Sequence, residues 1–465
     1  MAIKMPAEGA RRVAIAGGGL AGLTCAKYLV DAGLQVTVVE SLPFLGGRAS
    51  TYRDQDGEWV EQGLHIFLGV YSEFMTLLNE IGQFADDILF WMDDVHYQDR
   101  DGHHATYGLN PIHAPLKTLF RALSQNDYLG ILDKLSIVPL AAPAFASLEA
   151  IQKNYDGLTV TEWWRKAGGR EDVMQRVLRP LCRGLQFTDP DQFSAYDFLG
   201  WAHNAIYGIR NIRLGGYEGA RDDLIFAPLG RYLTDRGATI RTGTPLRAIH
   251  CDAAGGRVEG FELDHGERVE ADAYVVAVPP WIFAPLMPSA LREQTFFAEI
   301  ANLPVAPAIS VQIWFDRAVT GGPGFYLVAR THAPVYQEQS PHTYPVARGS
   351  RISVIVSPAD ELLDLEDDAL VRMVVESIGS VNQVVADAVV TKSVVLKHRQ
   401  HLVRPLPGAM SARPQQRTPV PNLFLAGDWT QQEFFGSQEG AVRGGKYCAR
   451  EVRCALLPDL PRSRV

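Results

Sequence analysis

The sequence predicts an α/β protein, in which a parallel-sheet domain is wound discontinuously through the chain and interrupted by an α+β domain. Three stretches predict it. RVAIAGGGLAGLTCAKYLVDAGLQVTVVE (12–40) reads as strand, glycine turn, helix and strand. RVEADAYVVAVPP (268–280) holds a short apolar run, Tyr274–Val278, stopped by Pro279 and Pro280. NLFLAGD (422–428) is a last strand running into a glycine and an acid.

The first stretch is the most informative. RVAIAG (12–17) is unbroken apolar chain entering glycines, the pattern of a parallel strand buried on both faces. Gly17, Gly19 and Gly22 follow in G-x-G-x-x-G spacing, with Ala21 inside the turn. Gly17 permits the tight turn, Gly19 lets a pyrophosphate approach the backbone, and Gly22 lets helix and strand pack closely. Leu20, Leu23, Ala26 and Leu29 recur at helical spacing, so a helix N-terminus offers its free N–H groups to phosphates. QVTVVE (35–40) is the second strand. Its final Glu40 suits a ribose 2′-OH and would repel a 2′-phosphate. Together these make a Rossmann-like dinucleotide site.

Gly46, Gly47 and Arg48 come next. The glycines let an extended cofactor run against the backbone, and Arg48 can neutralise pyrophosphate charge. A glycine pair and arginine just past the ribose acid resembles the extended FAD signature of the amine-oxidase and phytoene-desaturase superfamily. That resemblance implies a GR2-type flavoprotein with FAD as cofactor. GATIRTGTPLRAIHCDAAGGRVEGFEL (237–263) reads as strands joined by a turn at Asp252–Gly256. It resembles the family's adenine-side strands, which puts Ile249 among the cofactor contacts.

AGDWTQQEFFGSQEGAVRGGKYCA (426–449) resembles the superfamily's C-terminal flavin motif. The resemblance implies that Gly427 and Asp428 meet the ribityl or pyrophosphate region. It also aims the helix N-terminus at Glu439, Gly440 and Ala441 toward the isoalloxazine, where its positive end stabilises the charge of reduced flavin. The expected division is 1–84, 216–284 and 415–465 for the FAD-binding domain. Residues 85–215 and 285–414 then form the substrate-binding and membrane-docking domain.

EQGLHIFLGVYSEFMTLLNEIG (61–82) resembles the plant and cyanobacterial carotenoid desaturases, as do YDGLTVTEWWRKAG (155–168) and PLCRGLQFTDPDQFSA (180–195). This implies that Gly63, Leu64 and His65 lie beside the flavin. It further implies a phytoene-like polyisoprenoid substrate in an apolar tunnel, hydride transfer from an allylic carbon to flavin N5, and a quinone as electron acceptor. His65 is the candidate proton acceptor or substrate-positioning group. Arg221, in GGYEGARDDLIFAPL, falls near the arginine that the family places by the quinone and substrate channel. Two features depart from the desaturase pattern: Gln438 stands where a hydrophobic residue precedes Glu-Gly-Ala, and GDWT is closer to the related hydroxysqualene dehydroxylases. Dehydroxylation is therefore the alternative activity. A soluble amine oxidase is disfavoured by GLHIF, and a non-enzymatic isoprenoid carrier by the intact cofactor motifs.

Composition sets the outer limits. The chain has 465 residues, 47% apolar and 21% charged, with a net charge of −9. That balance argues against a nucleic-acid partner. Five cysteines, at 25, 182, 251, 448 and 454, form no Cys-x-x-Cys pair, so neither a zinc site nor a disulfide framework is expected. MAIKMPAEGARR carries no apolar stretch, so a signal peptide is not expected, and no apolar run reaches the ~18 residues of a membrane span. The expected location is cytoplasmic, peripherally bound to a membrane. NPIHAPLKTLFRAL (110–123) is the candidate interfacial helix, and LSIVPLAAPAFASL (135–148) the tunnel mouth. A homo-oligomer is left open.

Overall fold

The computed structural model describes residues 9–92, 94–108, 128–208, 211–340, 342–346 and 348–458. A five-stranded parallel sheet runs in the order Thr239–Arg241, Gln35–Val39, Arg12–Ala16, Ala273–Val276, Leu423–Leu425. The strands come from three distant parts of the chain, as discontinuous winding requires. Side chains alternate across the sheet with the strand period of two. Val13, Ile15, Val36 and Val38 join one apolar cluster with Leu23, Ala26 and Leu29 of the helix Leu20–Asp31, and with Val442 and Cys448 of the helix Gln438–Leu456. Ala14, Ala16 and Val39 join the opposite cluster.

That second cluster is built on an antiparallel meander, Leu246–Cys251, Val258–Leu263 and Arg268–Val269. The expected turn is present: Gly255 and Gly256 donate their N–H groups to the carbonyl and side chain of Asp252. Thr239–Arg241, expected with these strands, precedes the meander and forms the edge of the parallel sheet. Leu291, Phe297 and Ile300, on two short helices, also pack into this cluster. The chain therefore stays with the cofactor-side core as far as Leu303, beyond the boundary expected near residue 284.

From Val305 the chain enters a seven-stranded sheet. Its order is Val390–Val403, Val305–Phe315, Ser350–Val356, Val335–Glu338, Phe325–Ala329, Asp94–Asp99, His104–Gly108. Val305–Phe315 is buried in all but its first residue, so it is a central strand. The helix Asp367–Gly379 covers one face through Leu370, Val374 and Ile378. A helical layer over residues 148–207 forms a separate core around Trp163, Trp164 and Phe193. Thr159 and Glu162 cap the helix Val160–Lys166 reciprocally, which fixes the entry of TVTEWW.

The segment 110–123 lies outside the described residues. The neighbouring 135–148 forms the end of a helix, Ile131–Ala141, and a further helical turn, Ala142–Phe145. Among the described residues no single helix is long and apolar enough to cross a membrane.

Candidate functional site

The site forms where three parallel strands end, the position at which open α/β sheets take their ligands. After Ala16 the chain turns at Gly17, whose φ of +114° favours glycine. A Cβ on Gly22 would stand 2.0 Å from the Gly17 carbonyl oxygen, so the helix can start this close only with glycine there. The helix Leu20–Asp31 has no capping side chain and no acid in its first turn. Its first N–H groups are left for an external anion. Glu40 closes the turn by accepting the Gly18 N–H at 2.6 Å and the Leu42 N–H at 2.8 Å. Gly18 was not singled out from sequence, although a Cβ there would press on Leu45 and Glu40.

The second glycine turn docks on the first. Gly46 donates its N–H to the Gly18 carbonyl at 2.9 Å, and Gly19 bridges Gly46 in parallel. The turn leads into Arg48, whose guanidinium pairs with Asp428 and donates to the His401 carbonyl at 2.9 Å. Gly427 and Asp428 directly follow the last parallel strand, Leu423–Leu425. The structure thus brings Gly17, Gly19, Gly22, Glu40, Gly46, Gly47, Arg48, Gly427 and Asp428 together at the ends of the parallel strands, with Ala21 buried in the first turn of the helix. Ile249 is buried in the cluster behind this site, with Ala16 and Val39.

On the far side lies the loop Gly63–His65. His65 Nδ1 donates to the Gly63 carbonyl at 2.7 Å, which leaves Nε2 as its free lone pair. His65 sits deep yet keeps some open surface, as a residue lining an internal cleft does. Burial first, then the Arg221 charge, pulls its pKa down to about 3. The ring is neutral at neutral pH. Leu64 packs against Phe90, Phe325 and Leu327.

Arg221 is 1% exposed and fully engaged. It donates to the Ala49 carbonyl at 2.7 Å, to Glu61 at 3.1 Å and to the Gly63 carbonyl at 3.3 Å. The sequence placed it beside the substrate channel. The structure makes it a clamp between the loops at Ala49 and Glu61–Gly63, because each of its three guanidinium nitrogens donates to protein. Glu439 also has protein work. Its carboxylate accepts the N–H groups of Glu73 and Phe74, at 3.1 and 2.8 Å, and pairs with Arg443. It caps the helix Ser72–Glu80, while Glu439, Gly440 and Ala441 form the first turn of their own helix. Ser437 caps that turn by accepting the Gly440 N–H.

With this geometry in place, the comparison with known proteins is direct. The family described as flavin containing amine oxidoreductase matches residues 20–453.

The chain belongs to that family.

Within it the likeness runs to the carotenoid desaturases. A 15-cis-phytoene desaturase of Arabidopsis thaliana is 30% identical over 95% of this chain and 80% of its own. The 15-cis-phytoene desaturase of Synechococcus elongatus is 29% identical over 95% of each chain. A probable zeta-carotene desaturase from the same organism is 30% identical over 95% of this chain and 98% of its own. Among solved structures, an oxidoreductase from Methanosarcina mazei matches with a TM-score of 0.74 at 18% identity, covering 94% of this chain and 99% of its own. Putrescine oxidase matches at 0.68, also 18% identical, covering 95% of this chain and 98% of its own. At that identity the structures speak for the fold.

This member of the flavin containing amine oxidoreductases is an FAD-dependent oxidoreductase, and its residues fit the cofactor. The uncapped helix start and the paired glycine turns suit a diphosphate, Glu40 a ribose, and Arg48 negative charge.

Sequence reasoning missed a second set of residues around the cleft. His398 Nε2 donates to the Gln62 carbonyl at 2.8 Å. The His398 and His401 rings lie 5.1 Å apart, and His401 meets Phe187 edge-on at 5.1 Å. Burial lowers the pKa of both, helped by Arg48. Beneath them Glu61, fully buried, serves Arg221 and also accepts from Gln339 at 2.7 Å. Gln312 brackets the Glu61 backbone with two hydrogen bonds and accepts from Arg351 at 2.8 Å. A glutamine in the mostly apolar run VAPAISVQIWF was the available signal, since a buried amide must find partners.

Proposed function

We propose that this enzyme desaturates a polyisoprenoid hydrocarbon of the phytoene class and passes the electrons to a quinone, working from a membrane surface. The observation that carries the reading is the extent of the likeness to phytoene desaturases. It covers 95% of the chain, so it includes the seven-stranded sheet and helical layer as well as the cofactor cleft.

Bound FAD supplies the hydride acceptor. The protein's part is to hold a flexible hydrocarbon against it and keep water out. A neutral His65 suits that task. Its low proton affinity makes it a weak proton acceptor but leaves Nε2 to orient a neighbouring group, so of its two expected roles positioning is the better supported. Arg221 acts through the loop it clamps, as a positioning residue. Neutral His398 and His401, with Phe187, extend the same uncharged wall.

A hydrocarbon substrate resides in a bilayer, and the surface supports docking there. Ile131, Leu132 and Leu135 are 60, 60 and 59% exposed on one helix, with Phe145 and Tyr207 exposed nearby. His203 donates to the Ala144 carbonyl and Tyr207 to that of Phe145, tying this surface to the helix Ala195–Tyr207.

The test is anaerobic incubation of FAD-loaded enzyme with liposomal 15-cis-phytoene and a quinone. Products lighter by two hydrogens per step, with new polyene absorption, are expected. No product, combined with reoxidation of the reduced enzyme by hydroxysqualene, would transfer the assignment to dehydroxylation.

A further inference from the structure

We propose that a surface pocket beside Trp91 binds the zwitterionic headgroup of a phospholipid, a phosphate joined to a primary ammonium. This rests on the membrane reading above and adds a specific lipid contact to it.

The pocket has a volume of about 330 Å³, and none of its lining residues belongs to the cofactor site described above. It forms where Gly69, the end of the helix Ser72–Glu80, the turn at Phe84–Asp86 and residues 211–213 meet around the Trp91 ring. Two opposite charges are fixed to that one indole. The Arg213 guanidinium lies over its face, 4.2 Å from the centroid. The Asp86 carboxylate accepts its Nε1–H at 3.3 Å. Neither charge forms an ion pair among the described residues, and the two do not pair with each other. The indole holds them apart, one above the face and one at the edge. A ligand carrying both signs can satisfy both at once. A simple anion meets Arg213 but is repelled by Asp86, and a simple cation meets the converse.

The surroundings favour a lipid over a free zwitterion. Phe84, in the pocket wall, is 55% exposed. Gly208 packs so tightly on Val70, next to Gly69, that a Cβ there would stand 2.6 Å from Val70 Cγ1. This brings the end of the helix Ala195–Tyr207 against the pocket, and with it Tyr207, 67% exposed and bonded to Phe145. Exposed rings around a charged recess match a headgroup with its acyl chains, since aromatic side chains settle at the lipid–water boundary.

The test titrates the FAD-loaded full chain with short-chain dihexanoyl phosphatidylethanolamine, the matching phosphatidylglycerol, and O-phosphoethanolamine, reading tryptophan fluorescence. Trp91→Phe identifies the responding ring. The ethanolamine lipid is expected to saturate the signal, with the glycerol lipid and the chain-free headgroup each weaker by about tenfold or more. Arg213→Gln should weaken the ethanolamine lipid by about tenfold, and Asp86→Asn should bring the glycerol lipid level with it. Among the described residues the Arg213 side chain makes no hydrogen bond that its loss would break, and asparagine still accepts from Trp91. Wild-type affinity in both variants would overturn the proposal. O-phosphoethanolamine binding as tightly as the lipid would overturn the lipid assignment. Co-sedimentation with phosphatidylethanolamine vesicles separates the two readings. Equal pelleting of wild type and Arg213→Gln leaves membrane docking standing and sinks this site, whereas no pelleting of wild type removes both.

Discussion

Arg48 and Asp428 stand 380 residues apart in the chain and pair side chain to side chain. The pair ties the second glycine turn to the end of the last parallel strand, and Arg48 adds a bond to the His401 carbonyl. One guanidinium therefore joins three distant segments around the cofactor cleft. The Asp428 side chain is 5% exposed, so replacing it leaves a partly buried cation without its partner. Asp428→Asn is expected to loosen FAD by about tenfold or more, ~1.4 kcal/mol. Recovery of free-flavin fluorescence on dilution measures it. Retention equal to wild type would show that the pair has no part in closing the cleft.

Gly22→Ala tests the close approach of helix and turn. The added methyl would meet the Gly17 carbonyl oxygen at 2.0 Å, a backbone atom that cannot swing aside. Overpacking of this kind costs about 1–3 kcal/mol, and here it also displaces the N–H groups that face the diphosphate. The variant should purify with a much reduced flavin-to-protein absorbance ratio. A normal ratio would mean that the helix can withdraw without cost to the site.

Glu61→Gln tests the buried charge network. Glu61 is the carboxylate paired with Arg221, whose side chain is 1% exposed, and Arg351 lies close by with its Nε and Nη1 unbonded. Removing one partner of a buried pair costs about 3–5 kcal/mol. The denaturant midpoint should fall accordingly, and the loss should be smaller in an Arg221→Met background, because the two changes share one interaction. Additive losses would show that Arg221 draws its stability from the Ala49 and Gly63 carbonyls alone.

These three cases also show which parts of the site could be read from sequence. The glycine turns, Glu40 and Arg48 announce themselves because a backbone–phosphate site needs special residues at fixed local spacing. Strands 12–16 and 35–39 were legible for the same local reason. Glu61, Gln312, His398 and His401 were not, because their meaning lies in partners hundreds of residues away. Gln312 reaches Glu61 across 251 positions, and His398 reaches Gln62 across 336. Arg221 and Glu439 were found as candidates, but sequence shows only that a charge is present; the partners that hold each one, such as the Ala49 carbonyl for Arg221 and the Phe74 N–H for Glu439, appear only on packing. The domain boundary near 284 misplaced the short helices up to Ala301 because they pack on the meander before them, and no composition change marks that.

The neutral histidines make a final prediction about acid. Burial, with Arg221 and Arg48 and the neighbouring His398, holds the His65 pKa down to about 3, and burial likewise lowers His398 and His401. In the unfolded chain each titrates near its ordinary value of about 6.5. Below that value the unfolded state binds more protons than the native state, so stability rises with pH there and is lost as pH falls from about 6.5 toward 3. His65 contributes about 1.4 kcal/mol per pH unit within that window. Urea unfolding of wild type and His65→Gln, compared at pH 7 and pH 5 in the same cofactor state, isolates one of them, because contributions from the carboxylates are common to both proteins. The variant should lose less stability on acidification, by about one proton's worth of slope. Parallel losses would mean that native His65 accepts its proton at an ordinary pH. The cleft would then hold a titrating base where the geometry places a neutral positioning group.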